Sequence, residues 1–186
     1  MKTQYYTASS VDGFIATATD SLDWLFQLGD VKDTGYPEFI KDVGALAMGA
    51  NTYQWMLRHV INVDPSKPAA WPYQQPTWVF STRPQESVPG AEIHFVSGDV
   101  APVHEQMVNA AKGSNIWLVG GGDLVGQFYD VGLLDEITVQ VGSVTLGSGK
   151  PLLPRLIAFP PLILVSARAI GSGFAELKYI VPRTAD

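Results

Sequence analysis

A chain of 186 residues with 12 basic and 18 acidic side chains carries a net charge of −6, and so lacks the basic surface that non-specific nucleic-acid binding requires. It has no cysteine, which excludes disulfides, thiolate metal sites and cysteine nucleophiles. Hydrophobic residues make up 46% and no membrane-length or leader-like apolar run occurs, so one cytoplasmic domain over residues 1–186 is expected, with a full core and no membrane contact.

Thr3 to Ser9, rich in Tyr and Thr, reads as a first strand. Asp12-Gly13 is a turn signal, after which Phe14-Ile15-Ala16 returns to apolar character. A polar segment from Thr17 to Ser21 leads to Leu22-Asp23-Trp24-Leu25, where Trp24 is either core or a ligand neighbour. Pro37 starts a short helix to Val43, with Gly44 as its stop. Ala45 to Met48 is an apolar run, followed by Gly49 and a helix to about Arg58 capped by Asn51 or Thr52. Four prolines make Val63 to Pro76 a loop, which carries Trp71 and Tyr73 and is either functional, an edge cover or an oligomer contact. Thr77 to Ser81 and Glu92 to Val96 are strands, and Pro102 to Lys112 is a helix stopped by Gly113.

Ile116 to Val119 is then an apolar run of buried-strand length. Gly120, Gly121 and Gly122 follow it, and Asp123 caps a helix whose apolar side is Leu124, Val125, Phe128 and Tyr129. This is the second strand–Gly–helix junction. Each junction is either a tight turn or an anion site, because glycines admit a ligand to the backbone and a helix start offers unpaired N–H groups. The triplet is neither the Rossmann fingerprint, since position 125 is Val, nor a P-loop. Arg83, at a strand end, is either a solvated charge or a phosphate ligand. Ile137 to Val141 alternates apolar and polar residues, so one face should be buried and the other should face something polar, with Gln140 meeting ligand or solvent. Leu146 to Lys150 reads as flexible, and Leu162–Ala169 with Phe174–Val181 as a hairpin. Strands alternating with helices, then a hairpin, give an α/β pattern: a mainly parallel sheet with an antiparallel edge.

Val119-Gly120-Gly121-Gly122 with Gln127-Phe128, and Met48-Gly49-Ala50-Asn51-Thr52-Tyr53, resemble the two cofactor motifs of dihydrofolate reductase. Ser10-Val11-Asp12-Gly13-Phe14-Ile15-Ala16 and Leu133-Leu134-Asp135-Glu136-Ile137 resemble more closely a sister family, the reductase domain of the bifunctional deaminase–reductase of riboflavin biosynthesis and its stand-alone relatives. The resemblance runs from Tyr5 to Tyr179. It implies a three-layer dihydrofolate-reductase-like fold, with helices on both faces, that binds NADPH and transfers hydride to a planar heterocycle or an attached sugar. Gly120, Gly121, Gly122, Asp123, Leu124 and Val125 would then hold the pyrophosphate and ribose, and Gly49, Asn51 and Thr52 its other side. Ser81, Thr82 and Arg83 would meet the 2′-phosphate, and Ala8 and Ile15 the nicotinamide carboxamide. Trp24 would close the substrate side. A homodimer is expected from the same resemblance.

Several positions depart from these families. Where dihydrofolate reductases carry an acid in the helix after the Trp, this chain has Gly35 or Tyr36, with Asp33 and Glu38 nearby. Tyr6 stands where the riboflavin enzyme has a lysine, and Gly120 where it has an acid. Asp12, Asp23, Glu38 and Gln140 are the polar groups on the expected substrate side, and a buried carboxylic acid among them could donate a proton. Asp12, Trp24 and Glu38 are therefore taken as the catalytic candidates. No metal is expected, because His59, His94 and His104 have no ligand spacing. Two functions fit: an NADPH-dependent reductase, or a non-catalytic NADP(H)-binding protein on the same fold.

Overall fold

The computed structural model describes residues 1–30 and 34–183. Asp33, named above, lies outside them. In chain order the strands are β1 (Thr3–Ser10), β2 (Phe14–Ala16), β3 (Val43–Gly49), β4 (Thr77–Phe80), β5 (Ile93–Val96), β6 (Asn115–Gly120), β7 (Glu136–Gly142), β8 (Lys150–Pro151), β9 (Ile163–Ile170) and β10 (Phe174–Ile180). The helices are α1 (Asp23–Phe26), α2 (Tyr36–Phe39), α3 (Ala50–Met56), α4 (Val100–Ala111) and α5 (Gly122–Asp130).

Eight strands make one sheet in the order β5-β4-β3-β6-β1-β7-β10-β9. Pairing is parallel from β5 through β7, and β10 runs antiparallel to both β7 and β9. The side-chain period of two sorts the central strands. Tyr5, Ala45, Ala47, Trp78, Ile116, Leu118 and Ile137 meet α4 and α5 through Val103, Met107, Val125 and Phe128. Met48 and Val79 meet α3 through Tyr53 and Met56, while Tyr6, Leu46 and Trp117 meet α2 and the short 3-10 turn after it. Helices thus cover both faces, and strands buried on two sides read as unbroken apolar runs, as Ala45 to Met48 does. The result is a three-layer α/β fold.

Some boundaries differ from expectation. The helix at Pro37 is one turn, Tyr36–Phe39, and Val43 and Gly44 already belong to β3. Gly44 is there for space rather than as a stop, since a Cβ would lie 2.6 Å from the Ala111 carbonyl oxygen. Gly49 and Gly121 occupy the N-cap positions of α3 and α5, so Asn51, Thr52 and Asp123 fall inside the first turns instead of capping them. Each helix therefore begins two to three residues nearer its glycines than the side-chain caps suggested. Lys150, placed in a flexible stretch, pairs with Ala16 in the β2–β8 ribbon. The Pro-rich loop turns its aromatics inward: Trp71 is buried against Tyr53, and Tyr73 meets the Trp117 ring edge-on.

Strand β7 differs most instructively. Its polar residues do not face solvent, because Glu136 and Gln140 are both buried. Glu136 accepts hydrogen bonds from Lys2 and Gln4 and pairs with Lys178. Burial alone would raise its carboxyl, but these bonds and charges outweigh it and hold the group below the usual glutamate range.

Candidate active-site cleft

The two strand–Gly–helix junctions stand side by side, since β3 and β6 are neighbours and both end in glycine at the same edge of the sheet. Ligand crevices form where parallel strands end and their helices begin. A cavity of about 810 Å³ opens there, lined by Gly49, Asn51, Thr52, Ser81, Thr82, Arg83, Gly121, Asp123 and Leu124. A second cavity, lined by Ile15, Asp20, Trp55, Gly120, Gly122 and Lys150, shares Asn51, Thr52, Gly121 and Asp123 with the first. Shared walls make the two one groove. It continues into a mouth lined by Asp20, Asp23, Trp55, Arg58 and His59, and into an inner chamber of about 260 Å³ lined by Tyr6, Ala8, Tyr36, Trp117 and Gln140.

Each glycine of the triplet has its own geometry. Gly120 approaches Thr52, whose hydroxyl would be 3.5 Å from an added Cβ. Gly121 has φ of +23° and nothing within 4 Å of an added Cβ, so its missing side chain leaves open cleft. Gly122 is a packing glycine, because a Cβ would lie 2.3 Å from the Pro151 carbonyl oxygen. Past Gly121, the amides of Gly122, Asp123 and Leu124 begin α5, and Val125 N–H is the first to bond back, to Gly121 O. Open space, free amides and a helix start together fit an anionic phosphate. Val125 itself is fully buried and lines no part of the groove; its contribution is to seat the helix.

Among the described residues Arg83 has no ion-pair partner, whereas Ser81 Oγ accepts from Arg83 N–H and donates to Arg83 O, closing the turn that carries the guanidinium. Asp123 would repel an anion, but Arg155 pairs with it at 3.1 Å and also with Asp130. Gly126 makes this possible, since any Cβ there would strike the guanidinium.

The three catalytic candidates do not line the groove. Asp12 is exposed and its carboxylate accepts from Ser10 Oγ and from the amides of Leu146 and Gly147, so it staples two loops; these bonds hold it below the usual aspartate range. Glu38 is exposed and paired with Lys41 one turn on. Trp24 is buried with its ring against Gly142, and its indole N–H has no partner among the described residues. Asp23 reaches only the mouth.

Sequence reasoning missed Asp20, and it missed Glu176, which bonds the Gln140 amide already placed on the substrate side. Asp20 sits at φ of 63°, a conformation aspartate tolerates, and its carboxylate lies 3.5 Å from Lys150 Nζ at the middle of the groove. The one available signal was an acid inside the polar Thr17–Ser21 segment. Behind the inner chamber, Glu176 on β10 brings its Oε2 to 3.1 Å from where a Gly35 Cβ would be. Burial pushes the Tyr6 phenol up to about 12, so it remains a hydroxyl at neutral pH. No group of three or more metal-ligating side chains is present among the described residues, and no described helix is long and apolar enough to cross a membrane.

The fold is dihydrofolate-reductase-like. The Enterococcus faecalis dihydrofolate reductase complexed with NADP(H) superposes over 96% of this chain and 95% of its own, with a TM-score of 0.59 at 13% identity. More narrowly, the model of the RibD C-terminal domain matches residues 2–175, and the chain belongs to that family, the riboflavin-pathway reductase domains. Uncharacterized protein YwjB of Bacillus subtilis (strain 168) is 33% identical over 179 residues, covering 96% of this chain and 97% of its own. The crystal structure of a "Putative riboflavin biosynthesis protein" from Shewanella sp. PV-4 matches with a TM-score of 0.79 at 27% identity, over 98% of this chain and all (100%) of that one. The chain spans 56% of the Thermotoga maritima deaminase/5-amino-6-(5-phosphoribosylamino)uracil reductase, with a TM-score of 0.65 at 14% identity.

Proposed function

We propose that this protein is an NADPH-dependent reductase acting on a pteridine-like or aminopyrimidine-riboside heterocycle, of the 5-amino-6-(5-phosphoribosylamino)uracil reductase type. The observation that carries this reading is the continuity of one groove from Arg83, past Gly121, to the aromatic inner chamber. Arg83 would hold the 2′-phosphate, and the amides after Gly121 the pyrophosphate. Gly49, Asn51 and Thr52 would close the opposite side, with Ala8 and Ile15 at the nicotinamide end. The chemistry supplied by the bound cofactor is hydride transfer. Tyr36 and Trp117 would orient a flat ring against its donor face, since aromatic walls favour stacked planar ligands. Asp20 with Lys150 is the ionisable pair on the groove wall from which a proton could pass to the reduced ring. A second reading, a non-catalytic NADP(H)-binding protein, draws on the absence of Asp12, Trp24 and Glu38 from the groove. Turnover of NADPH with a panel of pterins, quinazolines and aminopyrimidine ribosides separates the two. Oxidation of NADPH with one of them supports the reductase, and binding without turnover of any supports the alternative.

Cofactor choice should depend on Arg83. A guanidinium stays charged and binds two phosphate oxygens at once. One such partly exposed contact is worth about 1.5–3 kcal/mol, or roughly ten- to a hundred-fold in affinity. Arg83→Ala should weaken NADPH by that factor and leave NADH nearly unchanged, measured by fluorescence titration of both. Equal loss of both would show that Arg83 holds the loop or the adenine instead.

We also propose a homodimer built on the terminal hairpin. Strand β9 is the sheet edge, and Ile163, Leu164 and Val165 on it are each more than half exposed. An apolar, unpaired edge of that length is otherwise an aggregation hazard. Sedimentation at low micromolar concentration should show twice the 20.1 kDa chain mass, and a purely monomeric profile would contradict the dimer.

A further inference from the structure

We propose that Gln140 reads the edge of the substrate ring, presenting an amide oxygen that cannot be exchanged for an amide hydrogen, so that the inner chamber selects heterocycles with an N–H donor there, a lactam or an exocyclic amine. The proposal rests on the reductase reading of the groove and narrows its substrate class.

Gln140 is buried yet lines the inner chamber. Both hydrogens of its amide have fixed destinations. Nε2 donates to Glu176 Oε2 at 3.0 Å and to the Tyr6 hydroxyl at 2.6 Å. Glu176 is itself buried and bound by Arg168, whose Nε lies 2.7 Å from Oε1. An ion-paired carboxylate only accepts hydrogen bonds. Turning the amide over would set its oxygen against that carboxylate and leave a buried charge facing a lone pair, which is costly. Amide orientation at other sites is a matter of network choice, but here the carboxylate decides it. No described residue donates to Gln140 Oε1, and it is the polar atom the amide has left for the chamber.

The residues behind Gln140 are arranged for this. Gly35 leaves the room that the network needs, since a Cβ there would be 3.0 Å from an Arg168 guanidinium nitrogen and 3.1 Å from Glu176 Oε2. Tyr36, Trp117 and Phe174 make the remaining chamber walls largely apolar, so a ring without a donor at that edge would bury the Gln140 oxygen unsatisfied. Glu176 and Arg168 are thus positioning residues that act through Gln140.

Isothermal titration with two isosteric probes tests this: 2,4-diaminoquinazoline, which offers N–H donors, and 2,4-dimethylquinazoline, which offers none. The wild-type protein should prefer the diamine by about ten- to a hundred-fold, the range for leaving a buried acceptor unpaired. Gln140→Met, similar in volume, should bring the two affinities close together. Glu176→Gln should also shrink the preference, because a neutral amide at position 176 can donate and so permits Gln140 to turn; a merely structural role for Glu176 would weaken both probes alike. Equal wild-type affinities, or a preference that survives in both variants, would overturn the proposal. NADPH affinity is titrated in the same samples. Normal NADPH binding without a diamine preference sinks the Gln140 proposal alone, whereas failure of wild-type protein to bind NADPH sinks the reductase reading.

Discussion

Gly121→Val is expected to abolish NADPH binding while the protein stays folded. Gly121 is the N-cap of α5 at φ of +23°, and nothing lies within 4 Å of an added Cβ. The Cβ therefore meets no neighbour, and the expected cost to the fold is mainly backbone strain, about 1–2 kcal/mol. For a chain of this size that lowers the melting temperature by roughly 2–8 °C. The branched side chain instead fills the open space in front of the first amides of α5. If two charge-assisted bonds to phosphate are lost, at about 1.5–3 kcal/mol each, affinity falls by roughly two to four orders of magnitude. Titration of NADPH alongside a thermal melt distinguishes the outcomes. A folded variant with wild-type affinity would show that the triplet is only a turn.

Its neighbour should behave in the opposite way. Gly122→Ala places a methyl group 2.3 Å from the Pro151 carbonyl oxygen and 2.5 Å from that of Leu152. Both obstacles are backbone, so neither can rotate aside. Leu152 O also accepts the Tyr5 hydroxyl, and Leu152 N–H bonds Gly13 O, so displacing this segment disturbs β1 and the β1–β2 turn together. Overpacking of this kind costs about 3 kcal/mol or more, a drop in melting temperature of roughly 6–12 °C. The loss should appear with or without cofactor. A melting temperature unchanged in Gly122→Ala would mean that the Pro151–Leu152 segment moves freely.

The contrast between these two adjacent glycines shows what the sequence could and could not reveal. The alternation of strands, glycines and helices was legible because parallel strands buried on both faces read as apolar runs, and Ile116–Val119 and Ala45–Met48 do so plainly. The groove followed from the same pattern, since both junctions fall where parallel strands end. What divides Gly121 from Gly122 is a segment some thirty residues on in the chain, and no local signal announces it. The inner chamber was hidden for a similar reason. Tyr6 and Gln140 are 134 positions apart, and Glu176 arrives from a strand inserted between β7 and the edge. Alternation on β7 correctly said that one face is polar, but only the β10 pairing shows that this face is closed over by Glu176 rather than wetted. Asp12 and Glu38 looked like acids near a substrate; Asp12 is instead taken up by loop amides, a common fate of Asp in turns. The hairpin spacing of the last two strands was legible, but that the apolar run in β9 lies exposed on the sheet edge follows only from the strand order.

The groove is expected to hold a reduced nicotinamide dinucleotide phosphate. Trp55 lines both the middle of the groove and its mouth, which places an indole beside the expected nicotinamide end. Energy transfer from tryptophan to bound NADPH is therefore the most direct measurement. Saturable quenching of tryptophan emission, with sensitised NADPH emission in the micromolar range and weaker binding of NADH, is the predicted result. Absence of any transfer at high micromolar NADPH from a folded sample would contradict it.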